Sequence, residues 1–266
     1  MSNALMFYRE TAPSSQISHL ILSFWEFTMK GENFEPTIHE VFPEGCISLF
    51  YYGNENANVN LLFVNNLSLE TVRTKVFAND VYWGMRFSPA ACAKILRVNP
   101  SEIQSQPLIE SKNFLHLTDG LLEKLIYCRN FKEAIKIYET QINSLQITRT
   151  ETDEKIAQAV KIIEENRGEM RVAEIAEAVH LSTRQLERRF KKSAGLSPKQ
   201  YTRARRIRAT AISLVEKSEM NWASRAAEMG FADQAHLTHE FSMLTGRTPN
   251  SFAEKVKRIE HGELIK

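Results

Sequence analysis

Two segments in the second half of the chain repeat one another at an offset of about fifty residues, and this constrains the fold more than any other feature. Leu186, Phe190, Gly195, Pro198 and Tyr201 are matched by Leu237, Phe241, Gly246, Pro249 and Phe252, each 51 residues on. Upstream the offset is 50, pairing Val172, Ala173, Ala176 and Leu181 with Trp222, Ala223, Ala226 and Phe231. The change of register puts one extra residue in the turn of the second copy. A period of this length marks one supersecondary unit used twice.

Each copy reads as a short helix, a tight turn and a second helix. Ser182 is an N-cap, Gln185 completes a Ser-x-x-Gln capping box, and Leu181 with Leu186 forms a hydrophobic staple. Asp233 caps the matching helix of the second copy, after Gly230 at a position where φ > 0 is expected; His180 holds that position in the first copy. Gly195 and Gly246 read as C′ residues, and Ser197-Pro198 and Thr248-Pro249 then open new helices. The unit is a helix-turn-helix with one supporting helix, preceded by a helix carrying Ile156, Val160 and Ile163.

Charge points to what this half meets. Residues 1–150 hold 13 Lys and Arg against 15 Asp and Glu, whereas 151–266 hold 21 against 17. From Arg184 to Arg208 ten basic residues stand against Glu187 alone, a concentration that suits a polyanion. The second helix of such a unit is the one that enters a major groove. With Leu186 and Phe190 buried, Arg184, Glu187, Arg188 and Lys191 fall on the outward face. Arginine can grip guanine bidentately and Glu can accept from cytosine, so Arg184, Glu187 and Arg188 are the expected base readers. Arg189, Lys191, Lys192, Lys199, Arg203 and Arg247 are the expected phosphate contacts. The second copy offers Gln234, His236 and His239 instead, with looser binding expected there. Arg225 stands where the first copy has the core residue Ile175. Either its stem packs while its head snorkels out, or that helix is shifted.

Residues from about Glu154 to Lys257 closely resemble the AraC-type transcriptional regulators of bacteria. LSTRQLERRFKKSAGLSPKQYTRARRIRAT is similar to that family's first recognition helix and linker helix, and GFADQAHLTHEFSMLTGRTPNSF to its second unit. The resemblance implies seven helices, with two helix-turn-helix units joined by a long helix from Pro198 to about Val215. It places the family's base-reading positions on Arg184, Glu187 and Arg188, and on Gln234, Ala235, His236 and His239. The chain departs from the family pattern at His239, commonly Arg, and at Arg225, commonly aliphatic.

The first half has another texture. It is rich in β-branched and aromatic residues, and in VYWGMRF the residues Val81, Trp83, Met85 and Phe87 share one face of a strand. CISLFYY at Cys46, LLFV at Leu61 and VRTKVF at Val72 read as further strands of a small antiparallel barrel or sandwich. Ser88-Pro89 signals a helix start, and Phe131, Ala134, Ile135, Tyr138, Ile142 and Leu145 form the stripe of a packed helix. The polar run Thr148 to Asp153 marks the boundary. The expected layout is an α+β sensory or dimerisation domain over 1–147, a linker over 148–153, and an all-α domain over 154–266. HEVFPEGCISLFYYG and VYWGMRFSPAACAKIL are loosely similar to sensory domains of one branch of the same family, which implies a cupin-like barrel that binds an effector or dimerises. The effector and its residues are not implied.

Apolar residues at 43% and charged residues at 25% are those of a folded globular chain. LILSFWEF from Leu20 is far too short to span a bilayer, and no secretory leader is apparent, so a cytoplasmic protein is expected. Cys46, Cys92 and Cys128 are too scattered for a disulfide framework or a metal knuckle and read as reduced and mostly buried. GxGxxG, GxxxxGK[ST], GxSxG and HExxH are absent, so no enzyme and no cofactor is expected. His39 with Glu40 and Glu44, and His236 with His239, are read as non-metal sites. The expected partners are double-stranded DNA, a small-molecule effector, a second copy of the chain and RNA polymerase, with no membrane. The chain therefore reads as a sequence-specific DNA-binding regulator with its recognition helices in successive major grooves. The alternative is a small-molecule-binding or catalytic barrel whose helical tail docks protein or RNA.

Overall fold

The computed structural model describes residues 5–31, 35–65, 67, 69–103, 108–256 and 259–261. The first half supplies strands β1 (Leu5–Thr11), β2 (Ile21–Lys30), β3 (Thr37–Val41), β4 (Ser48–Asn54), β5 (Val59–Asn65), β6 (Val72–Val76), β7 (Val81–Phe87) and β8 (Leu108–Glu110). Its helices are α1 (Cys92–Leu96), α2 (Leu115–Thr118), α3 (Leu121–Ile126) and α4 (Phe131–Ser144). The second half supplies α5 (Glu154–Glu165), α6 (Val172–Ala178), α7 (Thr183–Ala194), α8 (Pro198–Glu216), α9 (Trp222–Glu228), α10 (Gln234–Thr245), α11 (Pro249–Val256) and a last strand, β9 (Ile259–His261).

The strands form a sandwich of unequal sheets, one ordered β8-β5-β4-β7-β2-β1-β9 and the other the hairpin-like pair β3-β6. Alternation along β7 explains the layering. Val81, Trp83, Met85 and Phe87 face the helical side, as their spacing predicts, in the same apolar cluster as Tyr138. Tyr82 faces the other way, packed with Met6, Phe27, Met29 and Val76, while the Phe27 ring lies 4.4 Å from that of His39 on β3. Gly84 is required on that second face, because a Cβ there would come within 2.2 Å of the Trp25 indole. On the helical side α4 is capped by Asn130 and buries Phe131, Ala134, Tyr138 and Ile142. The Tyr138 hydroxyl donates to Trp83 O at 2.7 Å and accepts from Tyr51 N–H at 3.1 Å, stitching α4 to two strands.

One local expectation is corrected, and two further observations add to the layout. Ser88 does not cap a helix: its N–H donates to Leu20 O, a turn follows, and α1 starts at Cys92 with no side-chain cap. Residues 148–153 are an ordered connection, in which Thr148 and Glu151 close a capping box around a 3₁₀ turn and Asp153 caps α5. The second half is not wholly helical, since β9 returns to pair in parallel with β1, Met6 opposite Ile259. Cys46 and Cys92 are buried as expected, Cys128 only partly, and burial pushes the Cys46 thiol up to about 11 and that of Cys92 higher still.

The two halves share a core. One apolar cluster runs from Phe24, Met85 and Tyr138 into Ile163 of α5 and Leu186, Phe190 and Tyr201 of the first repeat. The second repeat has its own cluster around Phe241 and Phe252, with Phe42 of the first half packed on it and its ring 4.7 Å from Phe252. Polar ties add to this: the Ser193 hydroxyl reaches Pro89 O and Ala90 O at 2.9 and 2.8 Å, and Thr71 Oγ1 donates to Thr245 O at 2.8 Å. At the centre, Arg208 of α8 donates to both oxygens of Glu10 at 2.5 Å, and Arg86 contacts Glu10 at 3.2 Å and also Glu44.

Burial alone would raise the Glu10 carboxyl, but Arg208 and Arg86 outweigh it and hold the group low. A carboxylate so depressed stabilises the fold above its unfolded value of 4.5, and that contribution drains away as pH falls below it. We expect Glu10→Gln to destabilise the protein by about 3 to 5 kcal/mol at pH 7, by stranding two buried arginines. Urea midpoints taken between pH 6 and 2.5 should then fall less steeply for the variant than for the parent; equal slopes would remove Glu10 from the acid response.

Candidate nucleic-acid interface

The repeat is realised as two copies of equal dimensions. α6 and α9 each span 7 residues, and α7 and α10 each span 12. Ser182 accepts from Gln185 N–H and Asp233 from His236 N–H, so both second helices start where the caps predict. His180 has φ 54° and Gly230 φ 68°, the left-handed turn expected before each cap. Gly195 and Gly246, at φ 81° and 68°, end the two helices. Leu186 and Phe190, and their counterparts Leu237 and Phe241, are fully buried, which fixes the face each helix turns outward.

On α7 that face carries Arg184, Glu187, Arg188, Lys191 and Lys192, all exposed, with Lys199 exposed at the start of α8. None of these six forms an ion pair with a described residue. On α10 the exposed residues are Gln234, Ala235, His236, His239 and Met243, with Gln234, Ala235 and His239 lining a shallow concavity together with Thr238 and Ser242. The His236 ring stands edge-on to Phe231, and its Nδ1 accepts from Ala232 N–H at 3.3 Å. Its Nε2 is thereby left as the outward donor of the neutral ring.

The other three cations expected at phosphates are paired within the protein. Arg189 forks onto Asp153 at 2.7 and 2.5 Å, tying α7 to the start of α5. Arg203 pairs with Glu240 of α10 at 2.6 Å. Arg247 forks onto Glu40 of β3, which Lys255 also reaches at 3.0 Å and Arg73 at 3.3 Å. In each case a carboxylate of the protein engages at least one edge of the guanidinium. Three more arginines of the basic run are structural as well: Arg205 pairs with Glu164, Arg206 donates to Gly168 O, and Arg208 meets Glu10. The sequence held a signal for this. At about 100° per residue, positions 203, 205, 206 and 208 point to different sides of one helix, and only one side can face a duplex.

Arg225 follows neither expected course. It is 1% exposed, and α9 keeps the register of its counterpart α6. Its guanidinium reaches Ser213 Oγ, Lys217 O at 2.6 Å and Met220 O at 3.3 Å, and lies 5.4 Å from the Trp222 ring. It therefore caps carbonyls just past the end of α8, joining the Met220 N–H that reaches Lys217 O at 3.1 Å. His39 lies against Phe27 with Glu40 and Glu44 both engaged by cations, and among the described residues no group of three or more His, Cys, Asp or Glu is placed to hold a metal ion. Among the described residues no helix is long and apolar enough to cross a membrane.

Arg225→Ala is expected to cost about 3 kcal/mol, through a cavity and unmet carbonyls. Arg225→Lys should recover little of it, because a single ammonium cannot reach three acceptors in different directions. Thermal unfolding of the three proteins checks this, and a lysine variant as stable as the parent would contradict the clamp.

Two family models match the chain: "Helix-turn-helix domain" over residues 175–255, and "Domain of unknown function (DUF6597)" over residues 9–108. The Msm operon regulatory protein of Streptococcus mutans is 28% identical over 125 residues, 47% of this chain and 45% of the relative. The chain thus spans about half the length of the curated relative it matches. A transcriptional regulator of Chromobacterium violaceum with an AraC-type DNA-binding domain is similar at 26% identity, over 38% of this chain and 90% of that one, with a TM-score of 0.35. ToxT of Vibrio cholerae is similar over 84% of this chain and 98% of its own, at 12% identity and a TM-score of 0.43. The match over residues 175–255 falls on the two capped, repeated units that carry the resemblance. Residues 175–255 of the helical half are a helix-turn-helix domain, as the two capped, repeated units predict.

Proposed function

We propose that this protein is a sequence-specific DNA-binding transcriptional regulator that lays α7 and α10 into successive major grooves on one face of a duplex, about 34 Å apart. The observation that carries this reading is the outer face of α7: Arg184, Glu187 and Arg188 are exposed and unpaired on a helix whose start is fixed by a capping box. Arg184 and Arg188 match the donor pattern that reads guanine, and Glu187 an acceptor for cytosine. Lys191, Lys192 and Lys199 supply the phosphate grip. α10 has no cation of its own, so Gln234, Ala235, His236 and His239 read bases with less electrostatic support, and the first unit carries most of the affinity.

The N-terminal sheet regulates this surface by holding Arg247 and Lys255. Glu40 is 3% exposed, and its hydrogen bonds from Arg247 hold the carboxyl down to about 2, so it stays charged at any physiological pH. A phosphate would have to displace it. A small molecule acting on the sheet, a second copy of the chain and RNA polymerase complete the set of partners, in a cytoplasm that keeps the thiols reduced.

Arg184→Ala and Arg188→Ala should each cost about 1 to 3 kcal/mol and relax preference at one base pair, whereas Lys192→Ala weakens binding to all sequences alike. Fluorescence-anisotropy titration against single-base variants of the preferred duplex separates the two behaviours. Uniform loss from the arginine variants would demote them to phosphate contacts, and affinity indifferent to salt would sink the reading in favour of a tail that docks protein. Glu40→Gln should tighten binding to every duplex and steepen the log–log salt slope by about 1 to 2, as Arg247 and Lys255 reach phosphates. An unchanged slope would mean that Glu40 does not compete with DNA.

A further inference from the structure

The two units meet along a seam distant from the outer faces of α7 and α10. Gly168, in the turn between α5 and α6, has φ +74°, and a Cβ there would come within 2.1 Å of Thr202 O on α8. No side chain fits between that turn and the linker helix. Arg206 of α8 then donates to Gly168 O twice, from Nε at 3.0 Å and from a terminal nitrogen at 2.8 Å. The other side of the same guanidinium lies 5.5 Å from the ring of Phe231, the residue that leads into the cap of α10. Across the same line Arg167 approaches Glu228 at 3.9 Å and Gly230 lies against the Glu169 side chain, while Arg203 of α8 holds Glu240 of α10 at 2.6 Å.

We infer that Arg206, with the Arg203–Glu240 pair, sets the distance and phase between the two recognition helices, and so selects the spacing of DNA half-sites without touching DNA. This rests on the reading that α7 and α10 both enter the duplex. A guanidinium is suited to the task because its planar fork is directional: two parallel donors on one carbonyl fix its orientation, and its face stacks on a ring. One base pair of added spacer moves the second half-site by about 3.4 Å and turns it by about 34°. A rigid seam cannot follow that change; a loosened one can. Arg206 is thus a positioning residue, and the property it governs is tolerance to spacing.

The experiment uses the full chain in two readouts. Nitroxide labels at Lys192→Cys and Met243→Cys, both exposed, with Cys128→Ser as background, report the distance between α7 and α10 without DNA. The parent should give one narrow distribution, and Arg206→Met, which keeps the stem on Phe231, should broaden it. The unlabelled proteins are then titrated with duplexes carrying the selected spacer and that spacer plus or minus one base pair. The parent should lose at least about tenfold on the altered spacers, and Arg206→Met less than about threefold, with its affinity for the best duplex within about threefold of the parent. Glu240→Gln, at a partly exposed position, is a second variant expected to shift in the same direction.

An unchanged distance distribution together with an unchanged spacer penalty in both variants would overturn the inference. So would equal losses on all three duplexes, which is how a merely destabilised domain behaves. If the parent bound no duplex preferentially while its narrow distance distribution broadened in Arg206→Met, the seam would stand and the regulator reading would fall.

Discussion

Helix α8 is the constraint on which the rest of the molecule depends. Its 19 residues span about 28 Å, and each of its four central arginines leaves in a different direction. Arg203 binds the second recognition helix, Arg205 the end of α5, Arg206 the turn before α6, and Arg208 the buried Glu10 of the N-terminal sheet. Cations that look like a single basic face are in fact the fasteners of three bodies to one rod. What remains for a nucleic acid is a smaller and sharper set on α7 and at the start of α8. Separating the charges that hold the protein together from those that face outward changes the functional picture, because the first unit then holds nearly all the free positive charge while the second supplies shape and neutral donors.

The N-terminal half is joined to this rod and to both units, which gives any event on the sheet a route to the DNA-facing helices. Arg208 enters a buried cluster with Glu10, Arg86 and Glu44, and breaking any one member strands the others in a poorly solvated place. Glu40 collects three cations at the far end, two of them from the second unit. Ser193 and Thr71 close hydrogen bonds between the halves, and β9 brings the end of the chain back onto β1. In the described conformation the two halves are engaged, and the sheet holds two cations of the second unit, Arg247 and Lys255.

Much of this was legible in the sequence because helix ends obey local rules. Ser182, Gln185, Asp233, Gly195, Gly230 and Gly246 act within a few residues, so the repeat, its turn and its outward face could be placed from spacing alone. The strand VYWGMRF was legible for the same reason. β1, β2 and β3 were not: β2 buries residues on both faces, so ILSFWEFTMK shows no clean alternation. The ion pairs of Arg189, Arg203 and Arg247 were not legible because their partners, Asp153, Glu240 and Glu40, lie 36, 37 and 207 residues away, and no local pattern reveals an ion pair at that separation. Arg225 fitted no rule based on hydropathy, since its burial is set by carbonyls that exist only once α8 has ended.

Central to the proposed function is that a single chain holds two recognition helices at a fixed separation and reads DNA mainly through the first. Selection of bound duplexes from a random library by the full chain, followed by sequencing, tests it most directly. The expected result is a site of two elements about one helical turn, or 10 to 10.5 base pairs, apart, with the element under α7 the more sharply defined. Enrichment of no sequence, or of a single element with no preferred second, would contradict it.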